Sequence, residues 1–597
     1  MSRGPRTSSI ARGAAALGVA AVLLGALTWP LLFTESGFAG DWNHHLWLMW
    51  HQSLAIQSGV FPSLFLNSSY SVLYPTYAFY GGTVYAVGGV LSLALGGAPV
   101  SAYVLIYVLD FAAAFGGWYW LGRMAGLGRW LAMVPGLVFV TSAYYIVIVY
   151  VQGDWPEFTG VSMISLMVAA GLNVLRDDRL RVRTALALAL SSVLFFGSHN
   201  ITIMLGLTTL ALAGLACIVC VPAARAAVTR KSVLRVAGVV VPAALVSAWY
   251  LLPTLAYEST TRIGSDYSEA LLQLRSTANL VSLNHLFTFS RTLGPGIPTP
   301  YYLSLALPVL AIAWVLAGML ILPWGSRNRT WIRILLICAG TALLVAIVMT
   351  HVGLLIALPR PYPLVEFDYR LETYVLLALC GAIVAALVLA RGGSRWARAW
   401  TWFALPVCAV SLVGAIEQIS GYPYPGQSRY TTLEYPGQVE TGDNKDYQDV
   451  TAPVIPGHGL ANVDIPIEAV QEDRATSFST RVRPGTLLAT NIGAGSNLLQ
   501  ITGAKAVGVD SETGNLVLEV GPGNDRSEAA RADGAAPEET ISVSTGDSLP
   551  IVLGRLLTFA GVAILVLELL ALTARQSRLK RVRLGAERVR SDAMASD

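Results

Sequence analysis

Charge is scarce in this sequence. Asp, Glu, Lys and Arg together make up 13% of its 597 residues, where a soluble domain carries about 25%. With 54% hydrophobic residues and a mean hydropathy of +0.58, that scarcity excludes an ordinary soluble enzyme. It equally excludes a disordered or collagen-like chain. An excess of one sign is missing too. The net charge is only +4, so no bulk basicity argues for nucleic acid, and no nucleic-acid partner is expected. Cysteine is rare: Cys217, Cys220, Cys338, Cys380 and Cys408 all sit in apolar runs, where a thiol behaves as a small hydrophobe. Cys217 and Cys220 have CxxC spacing, but no second Cys or His pair accompanies them, which argues against a redox or metal motif. There is no internal repeat. What remains is a membrane protein with several spans and room for a soluble part.

A helix needs about twenty apolar residues to cross the hydrocarbon core. Such runs fall at 12–33, 101–121, 131–150, 159–175, 184–199, 201–221, 236–256, 301–322, 332–350, 371–390, 400–419 and 550–573, predicting about twelve spans. The first follows Arg3, Arg6 and Arg12. It is longer than a signal-peptide core and lacks a clear small-x-small site, so it reads as an uncleaved span with its basic end in the cytoplasm. Alternation then puts Arg123–Arg129, Arg176–Arg183, Arg225–Arg235, Arg327–Arg333, Arg391–Arg398 and the chain from Arg575 onward inside, and all are arginine-rich. Segments 34–100, 151–158, 257–300, 351–370 and 420–549 fall outside and hold most of the carboxylates, aromatics and prolines. The agreement requires that the apolar stretch 78–97 re-enter or lie in the interface rather than cross. Asp41 and Glu157 then share one face. The expected arrangement is a multi-pass membrane protein with both termini cytoplasmic.

Composition divides the chain further. Residues 1–420 read as a transmembrane bundle with its chemistry in the outer loops, and 421–549 as an extracytoplasmic β-rich domain and tether. Residues 550–573 are the last span and 574–597 a basic cytoplasmic tail suited to anionic lipid headgroups. Leu498–Thr502, Ala506–Val509 and Leu516–Val520 look like strands, Asp510–Asn515 like a hairpin turn, and 521–546 like a flexible tether.

Five places could carry chemistry. In the first outer loop, Asp41 precedes Trp42, His44, His45, Trp47, Trp50 and His51. Three tryptophans suit a helix lying in the headgroup layer, and the histidines fit that anchoring role. A carboxylate held against such a helix is instead well placed for proton abstraction. Tyr74, Tyr77 and Tyr80, beside Gly81 and Gly82, are candidates for stacking on a sugar or wedging a prenyl chain, or for an aromatic belt. In Gly153-Asp154-Trp155-Pro156-Glu157, the carboxylates either orient a hydroxyl or hold a divalent cation, or simply open the next helix. His199-Asn200 interrupts an apolar run, as a site or as a turn. Finally Arg262, Arg275, Arg291, Arg360 and Arg370 lie on the face where few arginines are expected. An anionic ligand would explain them, although Arg370 also has Glu366 at i,i+4.

Gly40-Asp41-Trp42, the aromatic loop, the Gly153-to-Glu157 loop, His199-Asn200 and Phe367-x-x-Arg370 together resemble the GT-C superfamily of membrane glycosyltransferases. More closely, they are similar to bacterial multi-pass proteins labelled 6-pyruvoyl-tetrahydropterin synthase-related, a label that implies no pterin chemistry. The resemblance covers residues 12–420. It implies an all-α polytopic membrane bundle, GT-C-like, here with a small β-rich extracytoplasmic domain before the last span. It further implies an inverting transfer of a sugar from a polyprenyl-phosphate donor to a glycan or protein acceptor of the cell envelope, with membrane lipid and the lipid-linked sugar as partners. Asp41 takes the place of the family's general base, and Asp154 and Glu157 match its second acidic loop, Glu157 as a second catalytic candidate. That loop lacks the full Asp-x-Asp of metal-dependent relatives, so the expectation is no cofactor or a divalent cation held by Asp154 and Glu157. Arg370, Arg360, Arg262 and Arg291 are the donor-phosphate candidates. His44, His45, Tyr74, Tyr77, Asp154, His199 and Asn200 are the substrate contacts. Two readings of other classes stand beside this one, a non-catalytic scaffold of envelope assembly and a lipid-linked-sugar transporter or flippase. The transporter predicts paired mid-membrane charges and an inverted repeat, yet Asp110 and Glu417 have no basic partner nearby in sequence.

Overall fold

The computed structural model describes residues 6–33, 41–60, 62–67, 71–177, 180–262, 308–325, 328–365, 367–421, 451–457, 459–465, 475–521 and 538–595. The helices are α1 Arg6–Phe33, α2 Trp42–Gln57, α3 Gly82–Ala94, α4 Pro99–Met124, α5 Arg129–Val140, α6 Ala143–Val147, α7 Trp155–Arg176, α8 Val182–Phe196, α9 Asn200–Cys220, α10 Arg230–Leu245, α11 Ala248–Tyr257, α12 Val309–Ile321, α13 Arg329–Thr350, α14 Glu372–Arg391, α15 Arg395–Trp402, α16 Ala404–Gly421 and α17 Leu549–Ala595. Among the described residues, seven helical segments are long and apolar enough to cross a membrane, and nine if two bent pairs, α5 with Ala143–Gln152 and α10 with Ala248–Thr260, each make one span. That is fewer than the expected twelve. The other three runs also form helices, with apolar stretches Gly18–Leu31 within α1, α8 and α12; residues 301–307, which open the last of these runs, lie outside the described residues. Fifteen residues of α8 rise only about 22 Å against a core of about 30 Å.

The stretch 78–97 is broken at Tyr80 and Gly81, where Gly81 has φ +52°. The 13 residues of α3 that follow rise about 20 Å, too little to cross. The helix instead lies along α2, and the two approach so closely that a Cβ on Gly89 would stand 2.9 Å from the Ser53 amide. Neither α2 nor α3 is among the helices long and apolar enough to cross a membrane.

The most buried spans are α7 and the segment Asp368–Arg391 that contains α14. Small residues let α4 and α7 touch backbone to backbone. A Cβ on Gly117 would stand 2.4 Å from the Leu166 amide nitrogen, and Ser165 donates to the Ala114 carbonyl at 2.9 Å. Polar groups buried against α7 are satisfied side chain to side chain. Thr159 donates to Asp110 of α4 at 2.6 Å, and the hydroxyls of Ser162 and of Tyr145 in α6 are 2.6 Å apart.

The β-rich region holds β1 Val454–Ile455, β2 Ala461–Val463, β3 Ala475–Arg481, β4 Leu487–Thr490, β5 Leu499–Thr502, β6 Ala504–Asp510, β7 Leu516–Val520 and β8 Glu538–Thr545. One sheet runs β1-β6-β7-β4-β2 and the other β3-β8-β5. The expected hairpin is present: β6 and β7 pair antiparallel around Asp510–Asn515, with Gly514 at φ +73° and Asp510 accepting from the Thr513 hydroxyl at 2.8 Å. The tether expectation is corrected for 538–545. Its alternation, Ile541 and Val543 fully buried, makes it the central strand of the second sheet; 522–537 lie outside the described residues. The region docks on the first long loop of the bundle. Val72 bridges to Ile492, with its amide 2.7 Å from the Asn491 carbonyl.

The two ends of the bundle differ in kind. At one end arginines of separate loops donate to backbone carbonyls that close helices. Arg176 and Arg391 bond the Met124–Gly126 turn, Arg333 bonds Cys220 at 2.7 Å, and Arg235 bonds Asp177. These are the loops the charge rule gathered on one face. The opposite end carries the acidic and aromatic loops and the β-rich region.

Candidate functional site

Gly153, at φ +69°, turns the chain out of the distorted turn Ile148–Gln152 and into α7. Asp154 caps the helix, its Oδ1 accepting the Glu157 amide at 3.0 Å. Pro156 and Glu157 occupy the first turn, where a fixed φ and a negative charge both favour helix initiation. Both carboxylates are buried, at 4% and 1% exposure. Burial on this scale requires partners, and they come from far along the chain. Arg370 Nη2 lies 3.5 Å from Asp154 Oδ2, and Arg370 Nε lies 3.2 Å from Glu157 Oε2. Tyr144 donates to Glu157 Oε1 at 2.7 Å, and Tyr80 donates to Asp154 Oδ1 at 3.4 Å. Arg370 is itself buried, and its third side meets His199 Nε2 at 3.0 Å. Phe367 packs against the guanidinium at 5.5 Å and stacks on Tyr369, whose hydroxyl accepts from Gln152 at 3.0 Å.

Histidines and tyrosines wall this cluster. His45 Nε2 stands 3.9 Å from Asp154 Oδ1, and its Nδ1 is 2.6 Å from the Tyr85 hydroxyl. Tyr80 stacks on His45 and meets His199 edge-on. Burial pushes the His45 imidazole well below its usual range, helped by neighbouring His44. Burial, reinforced by Arg370 and partly opposed by Asp154, takes His199 to about 3. Both rings are therefore neutral near pH 7. One guanidinium then faces two carboxylates.

Asp41 occupies the N-cap position of α2, without a side-chain capping bond, and is exposed. Its amide donates to the Gln152 carbonyl at 2.6 Å, so the first outer loop and the acidic loop meet at one end of the bundle, as expected. Other expected contacts are redistributed. Tyr77 is fully buried and donates to the Leu48 carbonyl at 2.7 Å, while Tyr74 is buried in the Leu66–Tyr74 bridge beside the β-rich region. Both are committed to packing; Tyr80 of the same stretch reaches the cluster. Asn200 donates to the Phe79 carbonyl at 2.8 Å and so ties α9 to the aromatic loop. His44 is half-buried, with its ring 5.7 Å from that of His45.

Arg370 was expected at a phosphate, but its donors already serve Asp154, Glu157 and His199. Arg360 and Arg262 are exposed. Arg360 interacts with Glu258, one turn before Arg262, close to where Asn497 of the β-rich region reaches Thr260 at 3.4 Å. Arg291, Arg275 and Glu366 lie outside the described residues. Asp154 and Glu157 do not fit a divalent cation as arranged, because their oxygens are taken by Arg370, Tyr144, Tyr80 and the Glu157 amide. Among the described residues no three His, Cys, Asp or Glu gather as a cation site. Tyr144 and Tyr85 were missed in the sequence; a hydroxyl stranded in the run after Ser142 was the available signal for Tyr144.

No protein-family model matches the chain and no curated protein matches its sequence, so the likeness to the pterin-synthase-labelled group rests on its short motifs alone. Solved structures do align. The chain is similar to the Archaeoglobus fulgidus oligosaccharyltransferase in its apo form, with TM-score 0.45 and 13% identity over 77% of this chain and 63% of that one. It is similar to the same organism's oligosaccharyltransferase AglB in complex with an inhibitory peptide and a dolichol-phosphate, with TM-score 0.44, 13% identity and the same coverage. It is also similar to the arabinofuranosyltransferase AftD from Mycobacteria, with TM-score 0.40 and 16% identity over 69% of this chain and 27% of that one. The chain thus spans less than two thirds of the length of each.

Proposed function

We propose that this chain is a membrane glycosyltransferase that moves a sugar from a polyprenyl-phosphate donor to an envelope acceptor on the extracytoplasmic side. The observation that carries the reading is the junction of Asp41 with the acidic loop, 2.6 Å from amide to carbonyl. An exposed carboxylate sits there beside the buried Asp154–Glu157–Arg370 cluster. Asp41, in contact with water, is the general base. It takes the acceptor hydroxyl's proton as that oxygen forms a bond to the anomeric carbon. The bond from that carbon to the phosphate oxygen breaks on the opposite face, and polyprenyl phosphate leaves with the electron pair. Arg262 and Arg360, exposed at the same end, bind the leaving phosphate through their forked donors. Arg370 holds the acidic loop in shape rather than gripping phosphate. The donor's prenyl chain stays in the bilayer, and the β-rich region beside Thr260 holds the acceptor. No step here requires a metal ion.

The test is incubation of purified protein with a panel of polyprenyl-phosphate sugars, following polyprenyl phosphate release. Release is expected with at least one donor, and Asp41→Asn lowers it on the order of 10²–10⁴-fold with unchanged expression. Full turnover in that variant ends the assignment of Asp41. Movement of the sugar across proteoliposomes without release would favour a flippase.

A further inference from the structure

His199 was expected to touch substrate, but its surroundings give it other work. The ring is sealed in the turn between α8 and α9, 3% exposed. Its Nε2 is 3.0 Å from Arg370 Nη1 and its Nδ1 is 3.2 Å from the Thr202 hydroxyl. A guanidinium nitrogen has only hydrogens to offer, so Nε2 must present its lone pair. The ring's one proton then lies on Nδ1, and Thr202, one turn into α9, accepts it. An imidazolium would remove that lone pair and set a second cation against Arg370. Tyr80 meets the ring edge-on at 5.4 Å. Asp154 and His45 are the other ionisable groups that act on it.

We infer that His199 is a positioning residue: as the Nδ1–H tautomer it fixes the Arg370 guanidinium, and through it the carboxylates of the acidic loop. The two carboxylates pull Arg370 from one side through Nη2 and Nε, and His199 anchors Nη1. A rotation of the guanidinium that improved one ion pair would break this third contact, so the three partners together leave one orientation. The inference deepens the transfer reading by naming how the guanidinium beside the reacting loop is held, yet the tautomer can be read without turnover.

The experiment has two arms on the full chain in lipid bilayers. In the first, ring-¹⁵N histidine spectra are recorded for the wild type and for His199→Gln, whose difference isolates His199 from the other six histidines. The expected signal has a protonated Nδ1 and a bare Nε2. An Nε2–H ring or an imidazolium at pH 7 overturns the inference. In the second, polyprenyl phosphate release is compared for His199→Phe, which keeps a ring without an acceptor, and His199→Gln, which restores an acceptor oxygen. Losing one charge-assisted hydrogen bond should lower kcat/KM on the order of tenfold to a hundredfold in the Phe variant. Most of that loss should return in the Gln variant. A Gln variant no better than the Phe one overturns the positioning role. If the wild type releases nothing, the transfer reading fails and the spectra alone decide the tautomer.

Discussion

At the basic end of the bundle, Arg176 and Arg391 donate in open solvent to carbonyls of the Met124–Gly126 turn. At the acidic end, Arg370 meets two carboxylates and a histidine out of water's reach. The side chain is the same and the physics is not. An exposed arginine on a helix C-terminus adds a few tenths of a kcal/mol that water partly replaces. A buried one is part of a unit whose members cannot be removed singly, because each deletion strands the charges left behind. The comparison teaches that arginine content separates the two ends, whereas arginine burial marks a unit whose charges depend on one another.

The contrast can be broken most directly by deletion at each end. Arg370→Leu strands Asp154 and Glu157 and should cost about 3–5 kcal/mol, while Arg391→Leu should cost less than about 1 kcal/mol; unfolding in lipid nanodiscs measures both. Equal losses would erase the distinction. A second comparison lies within α4. Gly117→Val drives a methyl into the α7 backbone and should cost about 1–3 kcal/mol, whereas Gly116, with nothing within 4 Å of its Cβ position, should accept Val almost freely. Similar costs at 116 and 117 would deny the close α4–α7 crossing.

Acid sharpens the contrast further. Burial holds His51 at about 4 and His199 at about 3, and lowers His45 as well. The unfolded chain binds these protons near pH 6.5 and the folded chain does not. Stability is therefore whole above about pH 6.5 and falls as pH drops toward 4, by about 1.4 kcal/mol per unit for each ring. His199→Gln should remove one ring's share of that slope. A flat profile between pH 7 and 5 would show that the rings are not sealed and neutral. The smallest effect separates two tyrosines of one loop. Tyr77→Phe should lose about 0.5–1.5 kcal/mol of stability with transfer intact, and Tyr80→Phe should slow transfer at little cost in stability. The reverse pattern would move the site away from Tyr80.

Much of this was legible in the sequence because it depends on local rules. Apolar runs located the helices, Arg-rich loops sorted the two ends, and Asp154-x-Pro156-Glu157 carried a helix start in its own letters. Gly514 and Asn515 marked the β6–β7 turn. Span length was less legible: the run read at 184–199 overlaps a helix of 15 residues, Val182–Phe196, and nothing local says whether its ends reach water. The site itself was half visible. Asp154 and Arg370 were each singled out, but their pairing joins residues 216 positions apart and depends on α7 packing near the start of α14. The choice between Tyr77 and Tyr80 was likewise tertiary. Both are tyrosines in one aromatic stretch, and only the packing of α2 decides that Tyr77 spends its hydroxyl on Leu48. The strand β8 was missed because polar threonines and serines masked the alternating Ile541 and Val543.

The account turns on which side of the membrane each end faces. In a chain with its five cysteines replaced by alanine, Asp41→Cys and Ser394→Cys place one thiol at each end, the latter at the start of α15 beside Arg391. A membrane-impermeant thiol reagent added to intact cells should label the thiol at 41 and reach the one at 394 only after permeabilisation. Labelling of both from outside, or of 394 alone, would put the acidic loop out of reach of an extracytoplasmic acceptor and contradict the proposed transfer.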